Sequence, residues 1–119
     1  MFFWRKRQSV YVGGMSDIVT VSIACANEAE AQSLTGLLVT ARLAACVQSY
    51  EVRSTYRWKG EIDMADEIML TAKSLMAKLP MLEKLVKQHH SYEVPEILAM
   101  TVVWASEDYE KWLREALEV

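Results

Sequence analysis

The sequence predicts one α+β domain in which two helical crossovers flank a central β-hairpin and a further helix is added at the C-terminus. Three observations lead there. Apolar residues alternate over Ile18–Cys25 and again towards the end of residues 61–73, they recur at helical spacing over residues 28–42 and after Leu75 and Ser106, and Lys59-Gly60 divides a long, aromatic-rich extended stretch. At 119 residues, 13.6 kDa and 52% hydrophobic content the chain has material for one compact core and no second.

Each element has its own local reason. In IVTVSIAC, Val19, Val21, Ile23 and Cys25 share one face and Thr20, Ser22 and Ala24 the other, which is a half-buried first strand. Asn27 is a helix N-cap, Glu28 and Glu30 complement the helix dipole, and Leu34, Leu37, Leu38 and Ala41 form an apolar stripe, predicting a helix from about Glu28 to Arg42. From Leu43 to Trp58 no helical period survives, and Val47, Tyr50, Val52, Tyr56 and Trp58 favour a long bent strand. Gly60 supplies the positive φ of a hairpin turn, and Glu61 to Lys73 returns as the second arm. Pro80 is tolerated in a first turn, so the second helix starts near Leu75 to Lys78 with Leu79, Leu82, Leu85 and Val86 inward, and ends at His89-His90 before the Pro95 loop. Ile97 to Trp104 is apolar enough for a strand buried on both faces, and Ser106 opens a last helix with Tyr109, Trp112, Leu113 and Ala116 on one face.

The order β-α-β-β-α-β-α is that of the ferredoxin-like split βαβ sandwich with an extra C-terminal helix. Hairpin arms of about 12 to 16 residues exceed the usual strand of 5 or 6 and leave long edges carrying Tyr50, Tyr56 and Trp58. Such edges pair with other chains, so a homo-oligomer is expected. Residues 1–14 read as a flexible extension ahead of a domain at 15–119, because Gly13-Gly14 precede Met15 and patterning begins only at Ile18. Their charges follow their aromatics without an apolar run and cleavage site, which is neither signal peptide nor anchor.

Charge and cysteine content exclude several functions. Arg5, Lys6 and Arg7 fall in that extension, so ten basic residues face sixteen acidic ones from Met15 onward. A surface that tracks phosphates needs clustered positive charge, and nucleic acid is not expected as a partner. Cys25 and Cys46 are too few for a disulfide framework and too far apart for a CxxC motif, which fits a reducing, cytoplasmic setting. No apolar stretch reaches the roughly 18 to 20 residues of a membrane helix.

The side chains with chemistry are few. His89 and His90 are adjacent at a helix end, where imidazoles suit copper or zinc, but helical neighbours diverge by about 100°, and favourable capping of the helix dipole accounts for the pair equally well. Cys25 shares a face with core residues, as a buried thiol or, from its place at the strand's end, a metal-facing one. Cys46, in Leu43-Ala44-Ala45-Cys46, reads as packing at a tight junction. Catalytic triads, Walker loops and GxGxxG are absent from the sequence, so no enzyme activity and no organic cofactor is expected.

The segments Leu43-Ala44-Ala45-Cys46, Tyr56-Arg57-Trp58-Lys59-Gly60-Glu61-Ile62, Lys73 and His90-Ser91-Tyr92-Glu93-Val94-Pro95-Glu96-Ile97, in this order and spacing, closely resemble the CutA family of divalent-cation tolerance proteins. The match runs from about Ile18 to Leu117. It implies a ferredoxin-like subunit in a homotrimer whose hairpins pair across subunits, tolerance to copper and other divalent ions, and no established catalysis. In some bacterial members copper is attributed to a first-strand cysteine and two adjacent histidines at the end of helix two. The histidines carry over onto His89 and His90, whereas Ile23 occupies the cysteine's position and Cys25 lies two residues on, about 6 to 7 Å along the strand. Ser91 stands in place of the usual proline. By the same resemblance Trp58, Lys73, Tyr92, Glu93 and Glu96 line an intersubunit cleft, with Lys73 offering a positive charge to an anion and the carboxylates hard oxygen ligands.

Two functional readings follow. In one the trimer takes up copper or another divalent metal through His89 and His90, aided by carboxylates, with Cys25 as a further candidate ligand. In the other it is an intersubunit small-molecule sensor, similar to the trimeric nitrogen-regulatory signalling proteins, and metal binding is incidental.

Overall fold

A computed structural model of the chain describes residues 16–118, and the extension expected at 1–14 lies outside them. The elements are β1 (Ile18–Cys25), α1 (Glu28–Thr40), β2 (Cys46–Trp58), β3 (Glu61–Leu75), a short 3-10 turn (Met76–Lys78), α2 (Leu79–His89), β4 (Ile97–Thr101) and α3 (Glu107–Leu117). Four strands form one antiparallel sheet in the order β2-β3-β1-β4, the split βαβ sandwich expected from the element order.

The predicted alternation of β1 becomes the core. Val19, Val21, Ile23 and Cys25 are buried under Leu34 and Leu38 of α1 and Leu82 and Val86 of α2, with Leu70 and Ala72 beside them on β3. Full burial of each large aliphatic side chain contributes about 1.5–3 kcal/mol. Leu79 and Leu85 pack at the margin of this cluster. Pro80 sits in the first turn of α2, where its missing N–H costs no hydrogen bond.

Several boundaries differ from the sequence reading. Helix α1 stops at Thr40, and Arg42 takes a left-handed φ of 59°, so the chain turns sharply through Leu43 and Ala44 before β2 begins at Cys46. The amides of Leu43 and Ala44 both reach the carbonyl of Leu38, closing the helix end, and Ser74 Oγ donates to Leu43 O at 2.7 Å. Strand β3 continues past Lys73 to Leu75, because β1 offers it partners as far as Ile18.

Strand β4 is shorter than expected and is not buried on both faces. It ends at Thr101, and Leu98 and Met100 are each 58% exposed, because β4 is an edge strand and its sheet carries helices on one face only. In α3 the buried stripe is Glu110, Leu113 and Leu117, while Tyr109 and Trp112, expected inward, are exposed. Through Leu113 and Leu117 the helix packs against Ile18, near Leu75, Val102 and Ala105.

The hairpin turn has left-handed φ at both Lys59 (51°) and Gly60 (83°), the arrangement that matches the twist of the flanking strands. Strand β1 accompanies only Ile68–Leu75 of β3, so residues 52–67 form a two-stranded ribbon. The subunit extends 54 × 29 × 22 Å with a radius of gyration of 15.9 Å, against about 13 Å for a compact domain of 100 residues.

A clasp joins α3 to the start of β1. Arg114 donates to both carboxylate oxygens of Asp17, at 2.7 and 3.1 Å, and to the buried Glu110 at 2.9 Å. The hydrogen bonds from Arg114, against an opposing effect of burial, hold the Asp17 carboxyl below its usual value. A depressed carboxyl pKa stabilises the fold above the unfolded value of about 3.9 and ceases to do so as pH falls through the folded value. Arg114→Met is expected to destabilise the protein by about 3 kcal/mol in urea unfolding at fixed protein concentration. It is also expected to flatten the decline in stability below about pH 4.

Candidate metal centre and adjoining cleft

Three chain segments meet at the C-terminal end of β1. Cys25 closes that strand with its side chain on the helix-covered face. Two residues on, Asn27 caps α1 by accepting from the Glu30 amide at 2.9 Å, and Glu30 Oε1 reaches back to the Ala26 amide, also at 2.9 Å. This reciprocal arrangement is similar to a capping box, with Glu30 taking the amide one residue before the N-cap. The other oxygen of Glu30 accepts from the Ser91 amide at 2.7 Å, tying the loop after α2 to the start of α1.

His90 completes the junction. Its side chain is 0% exposed, Nε2 lies 2.8 Å from the carbonyl oxygen of Ala24, and Nδ1 accepts from the Tyr92 amide. A carbonyl can only accept and an amide only donate, so these contacts select the neutral imidazole with its proton on Nε2. Nε2 also lies 3.7 Å from Glu30 Oε1. Ligand atoms of Cys25, Glu30 and His90 all fall within 4.8 Å of one another, the one such trio among the described residues.

His89 does not join them. Its Nδ1 bonds to the Leu85 carbonyl one turn back on α2 and the ring is exposed, whereas His90 has left the helix in extended conformation and turned inward. The two side chains thus point apart even though the helix ends between them. Glu30 takes the place the sequence reading reserved for His89. Its signal was present as Asn27-x-x-Glu30, the capping-box spacing, and was read only as dipole complementation.

Burial, then the nearby carboxylates of Glu30 and Glu67, push the Cys25 thiol up to about 12. It is protonated at neutral pH and is a poor nucleophile. Burial also acts to raise the Glu30 carboxyl, but hydrogen bonds from the Ala26 and Ser91 amides outweigh it, leaving Glu30 ionised below the usual range. Sulfur, carboxylate and imidazole together make a donor set for a borderline transition-metal ion. Binding through His90 Nε2 requires loss of the thiol proton and transfer of the ring proton to Nδ1, which surrenders the contacts to both Ala24 and the Tyr92 amide.

Beside this cluster lies a cleft of about 730 Å³ between the ribbon and the 91–96 loop. Trp58, Tyr92, Glu93 and Glu96, four of the five residues that the resemblance assigned to a cleft between subunits, line it within one chain. Lys73 does not: it lies about 20 Å further along β3 than the lining residue Glu67, on the helix-free face, where its Nζ donates to Gln48 at 2.6 Å. Tyr56 and Glu67 are lining residues that the sequence reading did not assign. Glu67 is 7% exposed and accepts from Tyr92 Oη at 2.7 Å. Burial first, then this bond to Glu67, raise the Tyr92 phenol well above its ordinary value, so it stays a donor.

Comparison with known proteins decides the family. A profile of the CutA1 divalent ion tolerance protein matches residues 19–116. The chain belongs to that family. The divalent-cation tolerance protein CutA of Thermus thermophilus is 36% identical over 102 residues, covering 85% of this chain and 97% of its own. Human protein CutA is 33% identical over 111 residues, 92% of this chain, which spans 61% of the human protein's length. Among solved structures, CutA from Xylella fastidiosa superimposes with a TM-score of 0.83 at 30% identity, covering 87% of this chain and 100% of its own. The CutA1 family and the ferredoxin-like subunit expected from the sequence are thus both present.

His90→Ala leaves the Ala24 carbonyl and the Tyr92 amide without their partner at the same junction. The expected cost is about 1–3 kcal/mol, and hydrogen exchange should show lost protection at the Ser91 and Tyr92 amides while α1 stays protected.

Proposed function

We propose that the protein is a divalent-cation tolerance protein that takes up copper or another divalent transition metal as a homotrimer. The observation that carries the metal reading is the convergence of Cys25, Glu30 and His90 within 4.8 Å. The donors suit a borderline ion better than calcium or magnesium, which prefer oxygen alone. His89 stands outside this set as an exposed imidazole. The function is read as binding, in keeping with the family's description, and the Cys25 thiol, pushed up to about 12, is a poor nucleophile at neutral pH. Cytoplasmic residence is part of the same reading, since both cysteines are free thiols.

Exposed apolar surface supports the trimer. Tyr50, Leu98 and Met100 sit on the helix-free face of the sheet, and Val103 and Trp104 are 71% and 73% exposed just beyond β4. A two-stranded ribbon is marginal in water on its own, and the outer part of this one carries Ile62 at 66% and Met64 at 71% exposure. A second and third copy would cover that face and extend the ribbon's sheet.

Native mass spectrometry of the full chain is expected to show a trimer, and Leu98→Asp/Met100→Asp to reduce it to monomer. A parent that stays monomeric at micromolar concentration would remove the oligomer from the proposal. Copper(II) titration should load about one ion per subunit, with Cys25→Ser or Glu30→Gln weakening uptake by about tenfold or more and His89→Ala leaving it unchanged. Loss on His89→Ala with no effect of Cys25→Ser would move the metal to the exposed helix end. Because the thiol proton must leave, affinity should rise by about tenfold per pH unit between pH 6 and 8.

A further inference from the structure

We propose that the cleft between the ribbon and the 91–96 loop binds a small organic dication, with one ammonium group on the buried carboxylate of Glu67. This site is separate from the Cys25–Glu30–His90 centre and requires no metal.

Glu67 carries the argument. It lines the cleft at 7% exposure, yet its one hydrogen bond among the described residues is from the neutral phenol of Tyr92, onto Oε2. A carboxylate removed from water is costly unless a cation or several donors compensate it. Among the described residues of one chain no such group is supplied: Lys, Arg and His are absent from those lining the cleft. The lysine expected to serve it, Lys73, is engaged with Gln48. Lys59 lies over the Trp58 ring, 5.7 Å from its centroid, and pairs with none of the cleft carboxylates.

The rest of the lining matches the same ligand class. Glu93 and Glu96 add two exposed carboxylates, and neither forms an ion pair among the described residues. Tyr56, Trp58 and Tyr92 contribute aromatic rings, whose faces attract alkylammonium groups. The sign of the cleft is therefore the reverse of the anion site that Lys73 would have made.

The spacing of the acids argues for an organic cation over a metal ion. Glu67, Glu93 and Glu96 are not among the ligand atoms that lie within 4.8 Å of one another, so they do not converge on a single point. A ligand that satisfies both Glu67 inside and a glutamate at the exposed positions needs two charges joined by an apolar spacer. The cleft's 730 Å³ lies in the range of small-molecule sites, with room for such a chain.

Isothermal titration of the full-length, EDTA-treated and dialysed protein with 1,4-diaminobutane tests the proposal, with 1,4-butanediol and magnesium chloride as parallel titrants. Saturable binding of the diamine alone is expected, about tenfold or more weaker in Glu67→Gln, which preserves an acceptor for Tyr92. Glu93→Gln/Glu96→Gln, confined to exposed positions, should weaken it about threefold. Cys25→Ser should bind the diamine as the parent does, so failure of the metal reading and failure of this one are distinguishable. The proposal is overturned by absence of saturable diamine binding, by equal binding of the diol, or by magnesium binding that depends on Glu67. Unchanged diamine affinity in Glu67→Gln also overturns it, as does unchanged affinity in the exposed double variant should Glu67→Gln not fold.

Discussion

Strand β3 runs for 15 residues, but β1 lies beside only its last eight, Ile68–Leu75. Backbone pairing is satisfied along the remainder by β2 alone, so the sheet passes from four strands under helices to a bare ribbon within one continuous strand. The end of β1 is therefore a corner. The chain leaves the sheet at Cys25, Asn27 starts α1, and the loop after α2 fills the space above the ribbon. Both candidate sites sit at this corner, on opposite sides of the same strand end.

One carboxylate makes the corner rigid. Glu30 accepts backbone amides from Ala26 and Ser91, joining the first crossover to the second, and His90 adds contacts to Ala24 and Tyr92. Satisfied buried polar groups of this kind specify one arrangement, because every alternative leaves a donor or acceptor dry. The same contacts set the chemistry. Amides hold Glu30 ionised while burial and two nearby carboxylates keep Cys25 protonated, so the junction presents negative charge and a latent thiolate. Across the strand end, Glu67 is compensated by a phenol and, among the described residues, by no cation. Both compartments favour positively charged guests, and they differ in donor softness and in the length of guest they accommodate.

The exposed surface follows from the same geometry. A split βαβ sandwich covers one face of its sheet with helices and leaves the other to water or to another subunit. Here that face carries Tyr50, Leu98 and Met100, a composition that water does not favour. β4 shows how this affects a sequence reading. Its apolar run is that of a strand buried twice over, whereas in the subunit it is an exposed edge. The pattern records the surroundings a strand requires without saying which chain provides them.

Much of the architecture was legible in the sequence because local chemistry dictates it. Alternation in β1, the Asn27 and Ser106 caps, Pro80 in a first turn and positive φ at Gly60 each depend on neighbours a few residues away. The buried face of α3 was misjudged because Tyr109 and Trp112 are larger and more apolar than Glu110, yet Arg114 makes burial of that carboxylate favourable. Within one chain Trp58, Tyr92, Glu93 and Glu96 line one cleft, whereas Lys73, which the resemblance assigned to a cleft between subunits, lies further along β3. Sequence by itself determined the order of elements, the turn and the capping residues, since these depend on backbone conformation and short-range hydrogen bonds. Only the tertiary structure decided that Glu30 and not His89 stands beside Cys25 and His90, and that Glu67 is buried against Tyr92 with no cation beside it among the described residues. Those outcomes depend on where separate elements meet, and the distance between residues along a chain does not encode it.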